Sequence, residues 1–259
     1  MVFFTFQGKH SEAAPLYERT QAVLEEVLGL EHPKLTGVLM DLAALFGEQG
    51  KYAEAESLYV RSQAIKEQGL GPEHPELAGV LMGRAGLLQT QGKYAEAEPL
   101  YERLQAIQEE VLDPEHLDVA RIFHNRGGLL IDQGKYAEAD ALLQRSQAIL
   151  KTVLGSEHPD VATALQSRGA TLHLQGEYSQ AELLYEESQR ILEKVLGPKH
   201  PQLALVLTAR ATLLRDQMKY AEAEPLYERS QAIYKKTLGP KHPSFAEVLQ
   251  KRALLLQAQ

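Results

Sequence analysis

Residues 92–107 read Gly92-Lys93-Tyr94-Ala95-Glu96-Ala97-Glu98-Pro99-Leu100-Tyr101-Glu102-Arg103-Leu104-Gln105-Ala106-Ile107. Ala97, Leu100, Tyr101, Leu104 and Ile107 recur at steps of three and four, which lays one apolar stripe along a helix. Gly92 stands before that helix as the stop of a preceding one, where the chain must often take positive φ. Upstream, Leu81, Ala85 and Leu88 trace a second stripe, opened by Pro75, a residue suited to a first helical turn. Period-two alternation and β-branched runs are absent, so the pattern predicts an all-α chain.

Working outward, the string GKYAEAE starts at Gly50, Gly92 and Gly134 (ending in Asp140 there), with relatives at Gly8, Gly176 and Met218. A second marker, EHP or KHP, keeps the same 42-residue step at His32, His74, His158, His200 and His242, and reads EHL at His116. Residues 8–259 make six periods with no insertion, so the chain is read as a single array over 1–259. The expected first-type helices lie near 33–49, 75–91, 117–133, 159–175, 201–217 and 243–258. Second-type helices are expected near 9–28, 51–70, 93–112, 135–154, 177–196 and 219–238. One such pair cannot bury its apolar face alone, whereas stacked pairs can. Small residues in fixed columns, Ala85 and Ala97 or the glycines Gly127 and Gly169, allow close helix crossings.

Gly92, Tyr94, Ala97 and Tyr101 together resemble the tetratricopeptide signature. The 42-residue form, with Ala97-Glu98-Pro99-Leu100-Tyr101-Glu102-Arg103 and again Ala223-Glu224-Pro225-Leu226-Tyr227-Glu228-Arg229, is similar to the kinesin light chain type. The same repeats also resemble the sensor arrays of NB-ARC-type receptors. The resemblance implies a right-handed α-solenoid of antiparallel helix pairs that binds a peptide or protein segment in a concave groove lined by first-type helices. Two departures stand out. Late in the second helix, where the family often has Ala, this chain has Thr20, Ser62, Leu104, Ser146, Ser188 and Ser230. Neither the heptad coiled coil of kinesin light chains nor a Walker loop accompanies the repeats.

Six internal copies separate scaffold from variable surface. Met40, Met82, His124, Gln166, Thr208 and Gln250 form one changing column. Seven residues on come Gly47, Gln89, Ile131, His173, Arg215 and Gln257, then Glu48, Thr90, Asp132, Leu174, Asp216 and Ala258. Three residues before the first column lie Gly37, Gly79, Arg121, Thr163, Leu205 and Glu247. These spacings share one helix face. The expected ligand contacts are Met40, Met82, Gln89, Arg121, His124, Ile131, Asp132, Gln166, His173, Thr208, Arg215 and Asp216. Apolar members such as Met40, Met82, Ile131 and Leu174 suit a groove better than bare solvent. The alternative is drift on an unused solvated face. Charge along the stripe is mixed: Arg121, His124, His173 and Arg215 cluster centrally with Asp132 and Asp216 close by, which suits a peptide with acidic and apolar positions.

A column of arginines (Arg84, Arg126, Arg168, Arg210, Arg252) faces a matching carboxylate column (Glu56, Glu98, Asp140, Glu182, Glu224). Structural pairing is the expectation, with an arginine ladder gripping an acidic or phosphorylated ligand as the alternative. The tyrosine columns starting at Tyr52 and Tyr17 are read as interhelix packing. The loop histidines recur once per repeat, roughly 10 Å apart, far beyond the ~2 Å bonds of a shared metal.

The chain has no cysteine and a net charge of −8. That balance speaks against a nucleic-acid face, and the missing thiols remove disulfide, thiolate-metal and cysteine-nucleophile chemistry. No Ser-His-Asp set, glycine-rich phosphate loop or His-Glu-x-x-His motif occurs, so a non-catalytic scaffold needing no cofactor is expected. No signal peptide or membrane-length apolar run is seen, and the cytoplasm is the expected location. Phe3 and Phe4 fall in the columns of Leu45 and Phe46, and Gln259 stops just before a turn glycine. The exposed ends this implies, with Leu249, Leu254, Leu255 and Leu256 partly uncovered, suggest self-association or a segment of a longer array.

Overall fold

The computed structural model describes residues 10–258; the expectation for Phe3, Phe4 and Gln259 lies outside them. Among the described residues there are twelve α-helices and no strand. They are α1 His10–Leu28, α2 Leu35–Glu48, α3 Tyr52–Leu70, α4 Ala78–Thr90, α5 Tyr94–Val111 and α6 Leu117–Asp132. The series continues with α7 Tyr136–Leu154, α8 Pro159–Leu174, α9 Tyr178–Leu196, α10 Pro201–Asp216, α11 Tyr220–Thr237 and α12 Pro243–Ala258. A single 3-10 turn, Pro75–Leu77, precedes α4. Even-numbered helices are the first type and odd-numbered the second.

The helices form two compact units, residues 1–133 and 134–259. Within each, successive helices pack on one another, as in stacked helical repeats. In unit 1 the core gathers Leu42, Ala55, Leu81, Ala85, Ala97 and Tyr101 with their neighbours. In unit 2 it gathers Leu165, Ala181, Tyr185, Leu207, Ala223 and Tyr227.

Local chemistry sets each helix end. The turn between a first-type and a second-type helix is left-handed at Gly50, Gly92, Gly134 and Gly176, with φ of +73° to +82°. Met218 replaces the glycine in the last such turn and still takes φ +63°. At the start of the first-type helices the EHP or KHP histidine is the cap. Nδ1 of His74, His116, His158 and His200 accepts the backbone N–H two residues on, at 3.1–3.3 Å. Each ring nitrogen thereby does what a Ser or Asp side chain usually does for an orphan helix donor.

The serines that depart from the family pattern are buried hydrogen-bond donors. Ser62, Ser188 and Ser230 each donate to a carbonyl of the preceding first-type helix, Thr36, Ala162 and Ala204, at 2.7–3.1 Å. Second-type tyrosines fill the space between helices. A Cβ built on Gly169 would lie 2.9 Å from the ring of Tyr185, and one on Gly83 2.8 Å from Tyr59.

In the column beginning at Tyr52, Tyr94 and Tyr220 pack against the two cores, while Tyr52 and Tyr178 are 36% and 38% exposed. One expectation needs correction. On α12, Leu249, Leu254 and Leu256 are exposed, but Leu255 is fully buried among unit 2 side chains.

Candidate functional site

Neighbouring first-type helices touch one another directly: α2 with α4 and α4 with α6 in unit 1, α8 with α10 and α10 with α12 in unit 2. Within each unit the first-type helices therefore lie side by side.

On unit 1, Met40 and Met82 are half-buried and lie between helices. The Met40 methyl rests over Gly79, where a Cβ would meet it at 3.1 Å. Arg121 reaches back with Nη2 3.5 Å from the Met82 sulfur, while its Nη1 pairs with Asp118 at 2.8 Å. Two turns further along, Gln89 Nε2 donates to Asp132 Oδ2 at 2.6 Å. Behind it, the Tyr101 hydroxyl lies 3.4 Å from Gln89 Oε1. Burial, with the Asp132 charge adding to it, pushes the Tyr101 phenol up to about 12. His124 and Ile131 are half-buried on α6.

On unit 2, His173 and Asp216 occupy the columns of Gln89 and Asp132, and they meet at 2.9 Å. Asp216 is fully engaged, because Arg215 Nε and Nη2 both donate to its Oδ1 at 3.0 and 2.7 Å. Tyr178 places its ring edge-on to His173, centroids 5.7 Å apart, and Leu174 beside them is 54% exposed. Gln166 is half-buried on α8.

Thr208 does not belong to this face. It is buried, its hydroxyl 2.7 Å from Ser230 and 2.9 Å from the Ala204 carbonyl. Its hydroxyl turns inward to α11.

The pairs Gln89–Asp132 and His173–Asp216 are not anticipated from the columns. Their members stand 43 residues apart, one period plus one residue. That offset is the only signal for them in the sequence.

The arginine column is a structural clamp between repeats. Every member reaches the expected carboxylate: Arg84–Glu56 at 2.7 Å, Arg126–Glu98 at 3.9 Å, Arg168–Asp140 at 2.9 Å, Arg210–Glu182 at 3.8 Å and Arg252–Glu224 at 2.5 Å. Each also donates to a glutamine 21 residues earlier, Gln63, Gln105, Gln147, Gln189 or Gln231. Where Glu102 and Glu186 stand one turn after the carboxylate, Arg126 and Arg210 swing towards them; where Val60 and Gln144 stand, Arg84 and Arg168 stay on Glu56 and Asp140. Arg252 bridges both Glu224 and Glu228, at 2.5 and 2.6 Å. A second ladder joins successive second-type helices through Arg61–Glu25, Arg103–Glu67 and Arg229–Glu193. Hydrogen bonds from Gln21 and Arg61 hold the Glu25 carboxyl below its ordinary range.

Among the described residues no group of three His, Cys, Asp or Glu is placed to hold a metal ion, and no helix is long and apolar enough to cross a membrane. The geometry is that of a helical-repeat scaffold whose conserved-looking columns are spent on packing. The family model "Tetratricopeptide repeat" matches residues 2–68, 76–152, 118–194, 184–236 and 202–259, and the chain belongs to this family. A search of curated proteins finds no match. Among solved structures, a Podosopora anserina protein of nearly identical TPR-like repeats, provisionally assigned to the kinesin light chains, is 28% identical. It covers 80% of this chain and 98% of its own, with a TM-score of 0.68. BtubC (BKLC) from P. vanneervenii is 20% identical over 90% of this chain and 92% of its own, TM-score 0.71. A Rap protein complexed with Competence and Sporulation Factor is 16% identical over 97% of this chain and 71% of its own, TM-score 0.59.

Proposed function

We propose that the chain is a non-catalytic, cytoplasmic binding scaffold of the kinesin-light-chain-like kind, and that it takes a peptide or protein segment on the faces of its first-type helices. The observation that carries this reading is the division of labour between columns. Columns that repeat are spent on clamps, caps and packing, whereas the first-type columns that vary share one helix face, Thr208 apart. There they put half-buried Met40 and Met82, and exposed Leu174, next to oriented polar groups. Apolar side chains with a few fixed polar anchors are what a peptide-binding surface needs. The likeness to a protein assigned to the kinesin light chains supports an adaptor role.

Panning a randomised peptide library against the whole chain tests the proposal, with Met82→Lys and Leu174→Lys on the face and Val60→Lys on a second-type helix as control. Selected peptides that lose binding to the face variants and keep it with the control support the reading. Peptides that lose binding only to the control, or no selected peptides at all, would sink it. A second reading, self-association, is favoured by the exposed Leu249, Leu254 and Leu256 on α12. Mass that grows with concentration and reverts with Leu254→Lys would support it.

A further inference from the structure

On unit 1 the two kinds of charge differ in what they have left to offer. Arg84 and Arg126 are spent on carboxylates of α3 and α5. Arg121 is paired with Asp118 and lies along the Met82 sulfur. Asp132 is different: its Oδ2 accepts from the uncharged amide of Gln89 at 2.6 Å, not from a guanidinium. The Asp132 carboxylate is exposed and aimed by Gln89, which is itself backed by Tyr101. Charge on the three helices points the same way. Asp118 and Arg121 offset one another at 2.8 Å, while Asp41 on α2 adds a second exposed carboxylate to Asp132. Unit 2 lacks this opening, because Arg215 neutralises Asp216.

We infer that the segment bound by unit 1 carries a lysine or arginine side chain at Asp132 and an apolar side chain against Met40 and Met82. The inference rests on the peptide-binding reading above and adds the chemistry of the ligand to it. Met82 and Gln89 are seven residues apart on α4, or roughly 10 Å along the axis. An extended peptide lying along α4 crosses that distance in about three residues, so the basic and apolar positions are three apart. Electrostatic fit of this kind steers choice of partner more than it adds affinity. The sign is opposite to that suggested by the bare column of Arg121, His124, His173 and Arg215, because two of those cations are already paired within the chain.

The test pans the same randomised library against the full chain and against Asp132→Asn, with Gln89→Ala as a second variant that leaves the charge and loosens its aim. Circular dichroism verifies that both remain helical. The expected result is enrichment of Lys or Arg three positions from an apolar residue. Those peptides should bind Asp132→Asn roughly two- to fivefold more weakly, as for an exposed ion pair, and the difference should shrink with added salt. Selected peptides without a basic excess, or basic peptides that bind Asp132→Asn unchanged, overturn the charge inference while leaving peptide binding in place. No selected peptides at all would remove the binding reading and this inference with it.

Discussion

Arg168 on α8 and Asp140 on α7 meet at 2.9 Å with 16% and 23% of their side chains exposed, and Gln147 accepts a further bond from the same guanidinium at 2.7 Å. The same three-residue unit recurs at each described junction of a second-type with the next first-type helix bearing the column. Removing Arg168 strands a mostly covered carboxylate. Arg168→Met should therefore lower stability by about 1–3 kcal/mol, less than the loss for a fully buried pair. Chemical denaturation of Arg168→Met, Asp140→Ala and the double variant forms the check. If the two effects simply add, the clamp contributes nothing as a pair.

The clamp was readable because it depends only on column identity: Arg84, Arg126 and their successors each lie 28 residues after a carboxylate in a strict 42-residue period. The turn glycines and the buried Ala85 and Ala97 were readable for the same reason. What stayed hidden was the lateral stagger of neighbouring first-type helices. That stagger is set by side-chain packing across α4 and α6, or α8 and α10. It decides that Gln89 meets Asp132 and that His173 meets Asp216, one residue beyond the period. Variability alone does not mark Thr208 as buried, because its partner Ser230 lies on α11 and is set by the packing of that helix.

Gly169 lies against the ring of Tyr185, and an added Cβ would stand 2.9 Å from it. The ring is fully buried among α8, α9 and α10 side chains, so it cannot rotate away cheaply. Gly169→Ala should cost about 1–3 kcal/mol through overpacking, despite alanine's better helix propensity. A thermal melt at or above that of the parent protein would show that the ring yields.

His158 caps α8 by accepting the Asp160 N–H at 3.2 Å. His158→Ala should lose about 1 kcal/mol, and His158→Ser, which keeps an acceptor, much less. The equilibrium denaturation midpoints of the two variants decide the matter; equal losses would mean that the ring acts by packing rather than as a cap.

Tyr59 and Tyr101 have their phenols pushed up to about 12 by burial, with nearby carboxylates adding to it, and burial also raises Tyr185, Tyr227 and Tyr234. A folded pKa above the unfolded value means the neutral form is favoured in the native state. That contribution is complete below the unfolded pKa near 10 and is lost as pH rises through the folded values. Stability should thus fall between about pH 10 and 12. Phenolate absorbance should show these five tyrosines ionising only with loss of helix. Their ionisation before any change in circular dichroism would contradict the burial assigned to these rings.

Met218 holds φ +63° where four equivalent turns use glycine. A side chain in the left-handed region costs roughly 1–2 kcal/mol, and Met218 gains little in return, being 76% exposed. Glycine removes the steric cost but adds freedom to the unfolded chain. The balance predicts that Met218→Gly raises stability by about 0.5–1 kcal/mol. Differential scanning calorimetry of the parent and variant would settle it. A lower melting temperature in Met218→Gly would mean that the methionine makes contacts that outweigh the backbone strain at this turn.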